Sequence, residues 1–416
     1  MDYFDENANK EICERVAKKC YLPANELMLK LINETAGKFK LAYSITGIAL
    51  EQFERYAPEV IDSFKKLADT GCVEFLSETY YHSLASLFSE KEFDFQVQKH
   101  SEKIEELFGV KPSVFRNTEL IYNNQLASFA ERIGFKGILT EGADHVLGWQ
   151  SPNYVYKPKG TQSIGLLMKN YKLSDDIAFR FSDKSWEHWP LTTEKFSDWI
   201  KSVDDAHSVN LFMDYETLGE HHWEETGIFQ FFEALPAKLI SEGLVFSTPS
   251  EILELYEPKA EIDIEKTISW ADVERDTSAW LSNKMQTDAA SELYKMEELV
   301  KSSGNAELLA SWRMLTTSDH LYYMSTKEMN DGAVHNYFSP YKTPYDSFIS
   351  YMNIISDISK RVSESSSFGS VSAFNSDIKA NKLNGSSVTQ DSSDTDLNDL
   401  NHNSLNTNAN NINPKT

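Results

Sequence analysis

Residues 210–223 read NLFMDYETLGEHHW, an apolar run followed at once by acidic and histidine side chains. The apolar part predicts a buried strand, Asn210–Tyr215, that carries Asp214 near its carboxyl end. In parallel β/α folds the functional site lies at the carboxyl ends of the strands. This stretch therefore predicts a parallel sheet and, at the edge of that sheet, a site that contains Asp214.

Short apolar runs alternate with helical patterns on both sides of that stretch, from about residue 38 to residue 250. The alternation predicts an α/β fold with a parallel sheet and outer helices, either as a β/α barrel or as a doubly wound sheet. No G-x-G-x-x-G follows the first predicted strand and no G-x-x-x-x-G-K-[ST] occurs, which disfavours nucleotide-binding folds. The other predicted strands are Lys40–Thr46, Val73–Ser77, Val114–Asn117, Gly137–Thr140, Ile164–Lys169 and a short one at Val245–Ser247.

The pattern changes after the predicted sheet. Residues 262–327 and 340–360 show long amphipathic helical patterns, which predict a helical bundle. After residue 361 the chain is rich in Ser, Asn and Asp with hardly any large apolar residue, which predicts a disordered tail. The predicted parts are a β/α barrel over residues 1–258, a helical bundle over residues 259–360 and a disordered tail over residues 361–416.

The composition limits the partners of this chain. Its 416 residues carry a formal net charge of −24, which disfavours nucleic acids and anionic membranes, whereas its 8 Trp, 19 Tyr and 24 Phe suit neutral sugars. No apolar run approaches the ~18 residues of a membrane-spanning helix, and the N-terminus lacks the features of a secretory signal. We therefore predict a cytoplasmic protein with no nucleic-acid or membrane partner and with free cysteine thiols. The oligomeric state stays open.

A second acidic segment lies at residues 114–125, VFRNTELIYNNQ, where a short apolar strand precedes Glu119. A single carboxylate at a strand end is often a helix cap or a surface charge. Here Glu119 and Asp214 follow two different predicted strands, so the sheet would bring them to one edge. Two carboxylates beside an aromatic-rich cleft are what glycoside hydrolysis requires, because one donates a proton while the other stays ionised.

Several motifs also resemble a known family. FMDYETLGEHHW resembles the fourth conserved region of glycoside hydrolase family 57, the α-amylase-like retaining glucanases, and FRNTELIYNN resembles the third. GCVEFLSETYYHSL is similar to the second region, and STPSE and TISWAD follow in matching order, so the resemblance covers about residues 1–345. It implies an incomplete (β/α)7 barrel followed by a helical bundle. It also implies a retaining hydrolase of α-1,4-glucans such as starch, glycogen or maltodextrin, with no cofactor and no metal, closest to the α-amylase subgroup.

The resemblance assigns roles to two carboxylates and suggests further contacts. It makes Glu119 the nucleophile and Asp214 the general acid/base. His82 matches a sugar-contacting position, with a buried polar histidine as the alternative. Arg116 could hold Glu119 ionised, with a surface ion pair as the alternative. Further candidates are Trp149, Trp223 and Trp270 as platforms for sugar rings, each with core packing as the alternative, and Asp319 and His320 as the contribution of the bundle.

One departure from the family pattern leaves alternatives open. The family's first region is a His-Gln-Pro motif on its first strand, and this sequence contains no His-Gln-Pro. The first barrel strand is therefore expected to be missing. A 4-α-glucanotransferase and a non-catalytic glucan-binding protein are the alternatives. A metal-dependent enzyme using Glu216, Glu220, His221 and His222 is disfavoured, since adjacent histidines point in different directions.

Overall fold

The computed structural model describes residues 3–327 and 339–383, with side-chain environments as far as Glu364. The chain divides into two compact units, Met1–Ser363 and Glu364–Thr416. Seven short strands and a larger number of helices form the described part, so the predicted α/β class with parallel pairing is confirmed. The strands are β1 (Leu41–Tyr43), β2 (Val73–Phe75), β3 (Val114–Arg116), β4 (Gly137–Glu141), β5 (Lys157–Pro158), β6 (Gly165–Lys169) and β7 (Glu261–Ile262).

The strands pair in parallel and largely in chain order. β1 pairs with β2, while β3, β4 and β6 form a three-stranded sheet. Ser77 links these two sheets, because its N–H donates to Val114 O at 3.0 Å and its carbonyl accepts from Arg116 N at 2.8 Å. β5 pairs with β7, again in parallel. The order β1, β2, β3, β4, β6 is what a singly wound β/α arrangement requires, whereas the incomplete barrel itself stays a prediction.

The central strands are buried on both faces. Every residue of β4, GILTE, and of β6, GLLMK, is buried, as expected for parallel strands covered by helices on each side. Both strands begin with glycine, and a Cβ at Gly137 or Gly165 would lie 2.2 or 2.3 Å from the side chain of Leu253. The glycines therefore let the helix that carries Leu253 pack directly against the amino-terminal ends of these strands.

Two predicted strands are absent from the described residues. Residues 210–214 are irregular and form no ladder, because their polar groups bond elsewhere, and Tyr215 begins a 3₁₀ turn. Asn210 accepts from Asn170 N at 2.8 Å and donates its side-chain amide to Met168 O at 2.9 Å, while Phe212 N donates to Ser174 Oγ. Residues 245–247 are likewise irregular. One backbone hydrogen bond and two that involve side chains thus hold the segment for which the apolar pattern predicted a strand.

The helices surround the sheet and then form an all-helical cluster. The first helices occupy the N-terminal segment that was expected to follow a missing strand. The helices are α1 (Glu6–Val16), a π-helical turn (Ala17–Tyr21), α2 (Leu22–Glu34), α3 (Gly47–Tyr56), α4 (Pro58–Ala68), α5 (Ala85–Phe88), α6 (Glu90–Phe108), α7 (Asn124–Arg132), α8 (Asp144–Leu147), α9 (Tyr171–Ala178), α10 (Thr193–Lys201), α11 (Ile228–Ser241), α12 (Pro249–Leu255), α13 (Ser278–Leu281), α14 (Lys284–Lys295), α15 (Glu297–Ser302), α16 (Ala306–Leu315), α17 (Asp319–Tyr322) and α18 (Pro344–Leu383).

The last helix corrects the predicted start of the tail. α18 continues through residue 361, where the disordered segment was expected to begin, and ends at Leu383. Val362 is fully buried in the helical cluster, and Arg361 Nη1 donates to the hydroxyl of Tyr3 at 2.7 Å. The prediction rested on the serine-rich composition of the segment, which does not reveal the contacts of Arg361 and Val362. The predicted disorder of residues 384–416 lies outside the described residues.

Two further observations bear on the chemistry of the chain. All three cysteines, Cys13, Cys20 and Cys72, have free and buried side chains in the structure. None of the helices in the described ranges combines the length and apolar character that crossing a bilayer would need.

Candidate active site

Glu119 lies on a tight turn directly after β3. Glu119 has φ +56° and Leu120 has φ +51°, a left-handed conformation that is uncommon for non-glycine residues. The turn is held by the 3₁₀ bond from Leu120 N to Asn117 O and by the side chain of Asn117, which donates to Ile121 O at 3.0 Å. Such backbone strain, of order 1–3 kcal/mol, is typical of functional sites. From this turn the carboxyl group of Glu119 contacts His82 and Trp270.

Both carboxylate oxygens of Glu119 have a hydrogen-bond partner. Oε1 lies 2.9 Å from Nε2 of His82, and Oε2 accepts from the indole N–H of Trp270 at 2.7 Å. The side chain retains 21% of its accessible surface. The carboxylate is therefore fixed in place and still open to solvent.

His82 lies between two carboxylates. The Nδ1 atom of His82 is 3.4 Å from Oε2 of Glu78, whose side chain is fully buried. His82 itself has a left-handed backbone, with φ +50°. Arg116 Nη1 lies 3.8 Å from the same oxygen, and Ser44 Oγ donates to the other oxygen at 2.7 Å. Glu78 thus receives one hydroxyl and two cationic partners, which a buried carboxylate needs.

The charges of this group support one another. Burial alone would lower the pKa of His82, but its bonds to Glu119 and Glu78 raise that pKa to about 10. Burial would raise the pKa of Glu78, but His82 and Arg116 lower it to about 2. For Glu119 the effect of burial is likewise outweighed by His82, Trp270 and Arg116, so its pKa is held below the ordinary value. At neutral pH an imidazolium therefore lies between two ionised carboxylates.

Asp214 has the opposite electrostatic character. It ends the irregular segment after residue 210 and precedes the 3₁₀ turn Tyr215–Thr217, with its side chain reachable by solvent. Lost hydration raises the pKa of Asp214, and the negative charges of Glu216 and Glu119 raise it further against the effect of Arg116. One carboxyl group is thus biased toward ionisation and the other toward holding a proton, which is the pattern of an acid and a nucleophile.

The acidic and histidine residues after Asp214 mostly fasten their segment to the N-terminal helices. Glu216 accepts from the hydroxyl of Tyr21. Glu220 is nearly buried between Arg15 at 3.1 Å and Lys19 at 3.3 Å, so two cations balance its charge.

His222 is equally structural. Its Nε2 lies 2.9 Å from the carbonyl oxygens of Ile177 and Ala178, and its Nδ1 contacts Ser182 Oγ. Among the residues that the structure describes, no group of three or more His, Cys, Asp or Glu is arranged to hold a metal ion.

The three candidate tryptophans have different environments. Trp149 follows α8 and is 94% exposed, and Trp223 is 56% exposed with Lys19 Nζ 4.9 Å from its ring centroid. Trp270 differs, because Arg116 and Lys169 both lie over its indole at 4.9 and 5.1 Å. The structure thus gives Trp270 a hydrogen bond to Glu119 and two cations close to its ring. The role of Trp149, Trp223 and Trp270 as sugar platforms stays a prediction.

Asp319 and His320, the two candidates from the helical cluster, lie in different environments. Asp319 begins α17, and its pKa is raised by burial, lowered by His82 and raised by Glu119, so it lies within electrostatic reach of the site. His320 instead packs its ring near Phe4 and Tyr351, and burial lowers its pKa to about 4. A backbone hydrogen bond joins the start of α17 to the segment after β2, since Ser318 N donates to His82 O at 2.8 Å.

The sequence reading missed Ser44 and Glu78, which complete the environment of His82. Ser44 follows β1 directly and Glu78 lies three residues after β2. The strand-end rule that identified Glu119 and Asp214 would have identified both, had it been applied to every strand.

Known proteins match both the sequence and the fold. Residues 1–265 match the sequence profile described as glycosyl hydrolase family 57. A Methanocaldococcus jannaschii protein, provisionally named an α-amylase, is 47% identical over 375 residues, which cover 87% of this chain and 79% of that protein.

Two solved structures share the fold at low sequence identity. A family 57 branching enzyme from Thermococcus kodakaraensis has a TM-score of 0.64 at 13% identity, covering 86% of this chain and 90% of that one. A 4-α-glucanotransferase from Thermococcus litoralis has a TM-score of 0.60 at 17% identity, covering 82% of this chain and 56% of that one. At these identities the likeness concerns the α/β fold alone.

Proposed function

The chain belongs to glycosyl hydrolase family 57, and from that premise we propose that it is a retaining, α-amylase-like hydrolase of α-1,4-glucans with an incomplete (β/α)7 barrel. Glu119 is the nucleophile and Asp214 is the general acid/base. The observation that carries the proposal is the fixed carboxylate of Glu119 after β3, whose two oxygens are bonded by His82 and by the indole N–H of Trp270. The lowered pKa of Glu119 and the raised pKa of Asp214 agree with a nucleophile and an acid. The name of the Methanocaldococcus jannaschii relative supports the choice of substrate.

The first step uses the fixed carboxylate. Glu119 attacks the anomeric carbon and forms a covalent glycosyl-enzyme, while Asp214 protonates the departing glycosidic oxygen. His82 and Trp270 each donate to one oxygen of Glu119, so the attacking carboxylate is oriented and kept ionised. Arg116 adds positive charge near both carboxyl groups.

The second step reverses the roles at Asp214. The ionised Asp214 removes a proton from water, which attacks the glycosyl-enzyme from the same side and releases a product of retained configuration. This geometry requires the two carboxyl groups to stand about 5–5.5 Å apart during the reaction. If a sugar hydroxyl replaced water, the same pair of residues would catalyse glucan transfer.

The test is the configuration and identity of the first products. We expect the protein to release reducing sugar from soluble starch, with the α-anomer appearing first in proton NMR spectra, and Glu119→Ala to release none. First formation of the β-anomer would show inversion and contradict the role of Glu119. Longer oligosaccharides formed from pure maltooligosaccharides would indicate the glucanotransferase alternative. Glucan binding without cleavage would indicate the non-catalytic alternative.

A further inference from the structure

The loop of residues 269–276 brings Trp270 to Glu119 from a distant part of the sequence. The loop closes on itself, since Ser269 N donates to Arg275 O at 3.2 Å and Ser269 Oγ donates to Asp276 O at 2.6 Å. Trp270 contacts Glu119 twice, through its indole N–H and through its backbone N–H, which donates to Glu119 O at 3.2 Å. The position of the indole therefore depends on how the loop is attached to the sheet.

Arg275 attaches the loop to β4 and to α9. Its Nη1 lies 3.1 Å from Oε2 of Glu141, the last residue of β4, and its Nη2 lies 3.6 Å from Oδ2 of Asp175 in α9. The guanidinium also lies 4.1 Å from the ring centroid of Tyr171, and Nη1 donates to Trp270 O at 3.4 Å. One side chain thus contacts β4, α9 and the residue that donates to Glu119.

Lys169 completes a buried network of two cations and two anions. Its Nζ, on a side chain only 5% exposed at the end of β6, lies 2.9 Å from Asp175 and 3.6 Å from Glu141. The same Nζ lies over the indole of Trp270. Removing Arg275 would leave Glu141 and Asp175 with one cation between them, and a buried charge that loses its partner forces local rearrangement.

We propose that Arg275 is a positioning residue for Glu119 that acts through Trp270, by fixing the loop of residues 269–276 to β4 and α9. The name nucleophile for Glu119 rests on the proposed function, whereas the link from Arg275 to the carboxylate rests on contacts alone. Without Arg275 the indole withdraws from Oε2, and Glu119 loses one of the donors that favour its ionised form. The pKa of Glu119 then rises, because the hydrogen bond from Trp270 acts to lower it.

The first measurement reports on the hydrogen bond directly and needs no activity. Protein labelled with ¹⁵N-tryptophan gives indole N–H signals for its 8 tryptophans, and Trp270→Phe identifies the signal of Trp270. We expect that signal to lie downfield, as for a donor to a carboxylate, and to move as acid protonates Glu119. In Arg275→Met it should move upfield and titrate at a higher pH, and Arg275→Lys should lie between these two states.

Arg313 provides the matched control. It is the same residue type, its side chain is 14% exposed against 16% for Arg275, and it contacts a fully buried carboxylate, Glu92, at 2.9 Å. Arg313→Met should therefore lower thermal stability by a similar amount and leave the Trp270 signal unchanged. If Arg275→Met does not fold, Arg275→Lys provides the test, since one ammonium group cannot replace both nitrogens of the guanidinium.

The second measurement separates this proposal from the proposed function. If starch is cleaved, Arg275→Met should lose about 10- to 100-fold in kcat, the value of one hydrogen bond to a charged group, and the acidic limb of its pH profile should move to higher pH. An unchanged Trp270 signal and an unchanged acidic limb in folded Arg275 variants would overturn the positioning role while starch cleavage stood. A displaced signal in a protein that never cleaves starch would support the positioning of Glu119 and overturn the hydrolase proposal alone.

Discussion

The two candidate catalytic carboxyl groups are held in different ways. Glu119 follows a regular strand, and both its oxygens are bonded by side chains that are themselves anchored. Asp214 follows an irregular segment and is surrounded by like charge from Glu216 and Glu119. The comparison indicates that the ionised group needs a fixed donor on each oxygen, whereas neighbouring negative charge favours the proton-holding form of the other group.

The largest effect should come from removing each of the two carboxyl groups in turn. Glu119→Ala should reduce turnover by at least about 10⁴-fold on every substrate, because the covalent step is lost. Asp214→Ala should reduce starch hydrolysis comparably but spare glucosides with good leaving groups, which need no proton for departure. Rates on starch and on an aryl α-glucoside measure this difference.

Azide is the control for the same prediction. The small anion should partly restore Glu119→Ala by replacing the nucleophile on the opposite face from the leaving group. If both variants lost activity equally on starch and on the aryl glucoside, the division of roles between Glu119 and Asp214 would be wrong.

The part of the site that contains Glu119 was more predictable from the sequence than the part that contains Asp214. Glu119 follows a short apolar strand, and β1, β2, β3, β4 and β6 each coincide with a predicted strand, because local apolar runs set buried parallel strands. Asp214 was placed at the site by the same rule although its strand does not form. The irregular segment before Asp214 is held by side-chain hydrogen bonds of Asn210 and Ser174, which no local pattern encodes.

The partners of Glu119 show where sequence reasoning stops. The indole of Trp270 reaches Glu119 across 151 positions of sequence, and its orientation depends on Arg275, Lys169 and Arg116 together. A tryptophan that serves as a platform for sugar rings and a tryptophan that donates to a carboxylate look the same in the sequence. Only the tertiary contacts distinguish Trp270 from Trp149.

A smaller effect should appear in the pH dependence of stability. His82 has a pKa raised to about 10 in the folded protein against 6.5 unfolded, so it contributes stability that is complete below about pH 6.5 and is lost as pH rises to about 10. Since one pKa unit corresponds to about 1.4 kcal/mol, this contribution amounts to a few kcal/mol. The melting temperature of His82→Gln should therefore be lowest relative to wild type near pH 6 and approach it near pH 10.

His222, on the Asp214 side, should show the opposite dependence. Burial lowers its pKa, so the stability that it contributes is present above about pH 6.5 and is lost as pH falls. The deficit of His222→Gln should thus grow between pH 5 and pH 7, while that of His82→Gln shrinks from pH 6.5 upward. Deficits of both variants that do not change with pH would mean that neither histidine changes its pKa on folding.

The smallest effect distinguishes two neighbouring glutamates on the Asp214 side. Glu216 raises the pKa of Asp214, so Glu216→Gln should lower it and move the alkaline limb of kcat/KM down by about half a pH unit. Gln still accepts the hydrogen bond from Tyr21, which keeps the turn in place. Glu220→Gln removes the same charge four residues away, but Glu220 is already balanced by Arg15 and Lys19, whose side chains are 55% and 38% exposed and screened by solvent. Its alkaline limb should stay within experimental error of wild type. Equal displacement in both variants would mean that total charge, and not the placement of Glu216 beside Asp214, sets the proton affinity of the general acid.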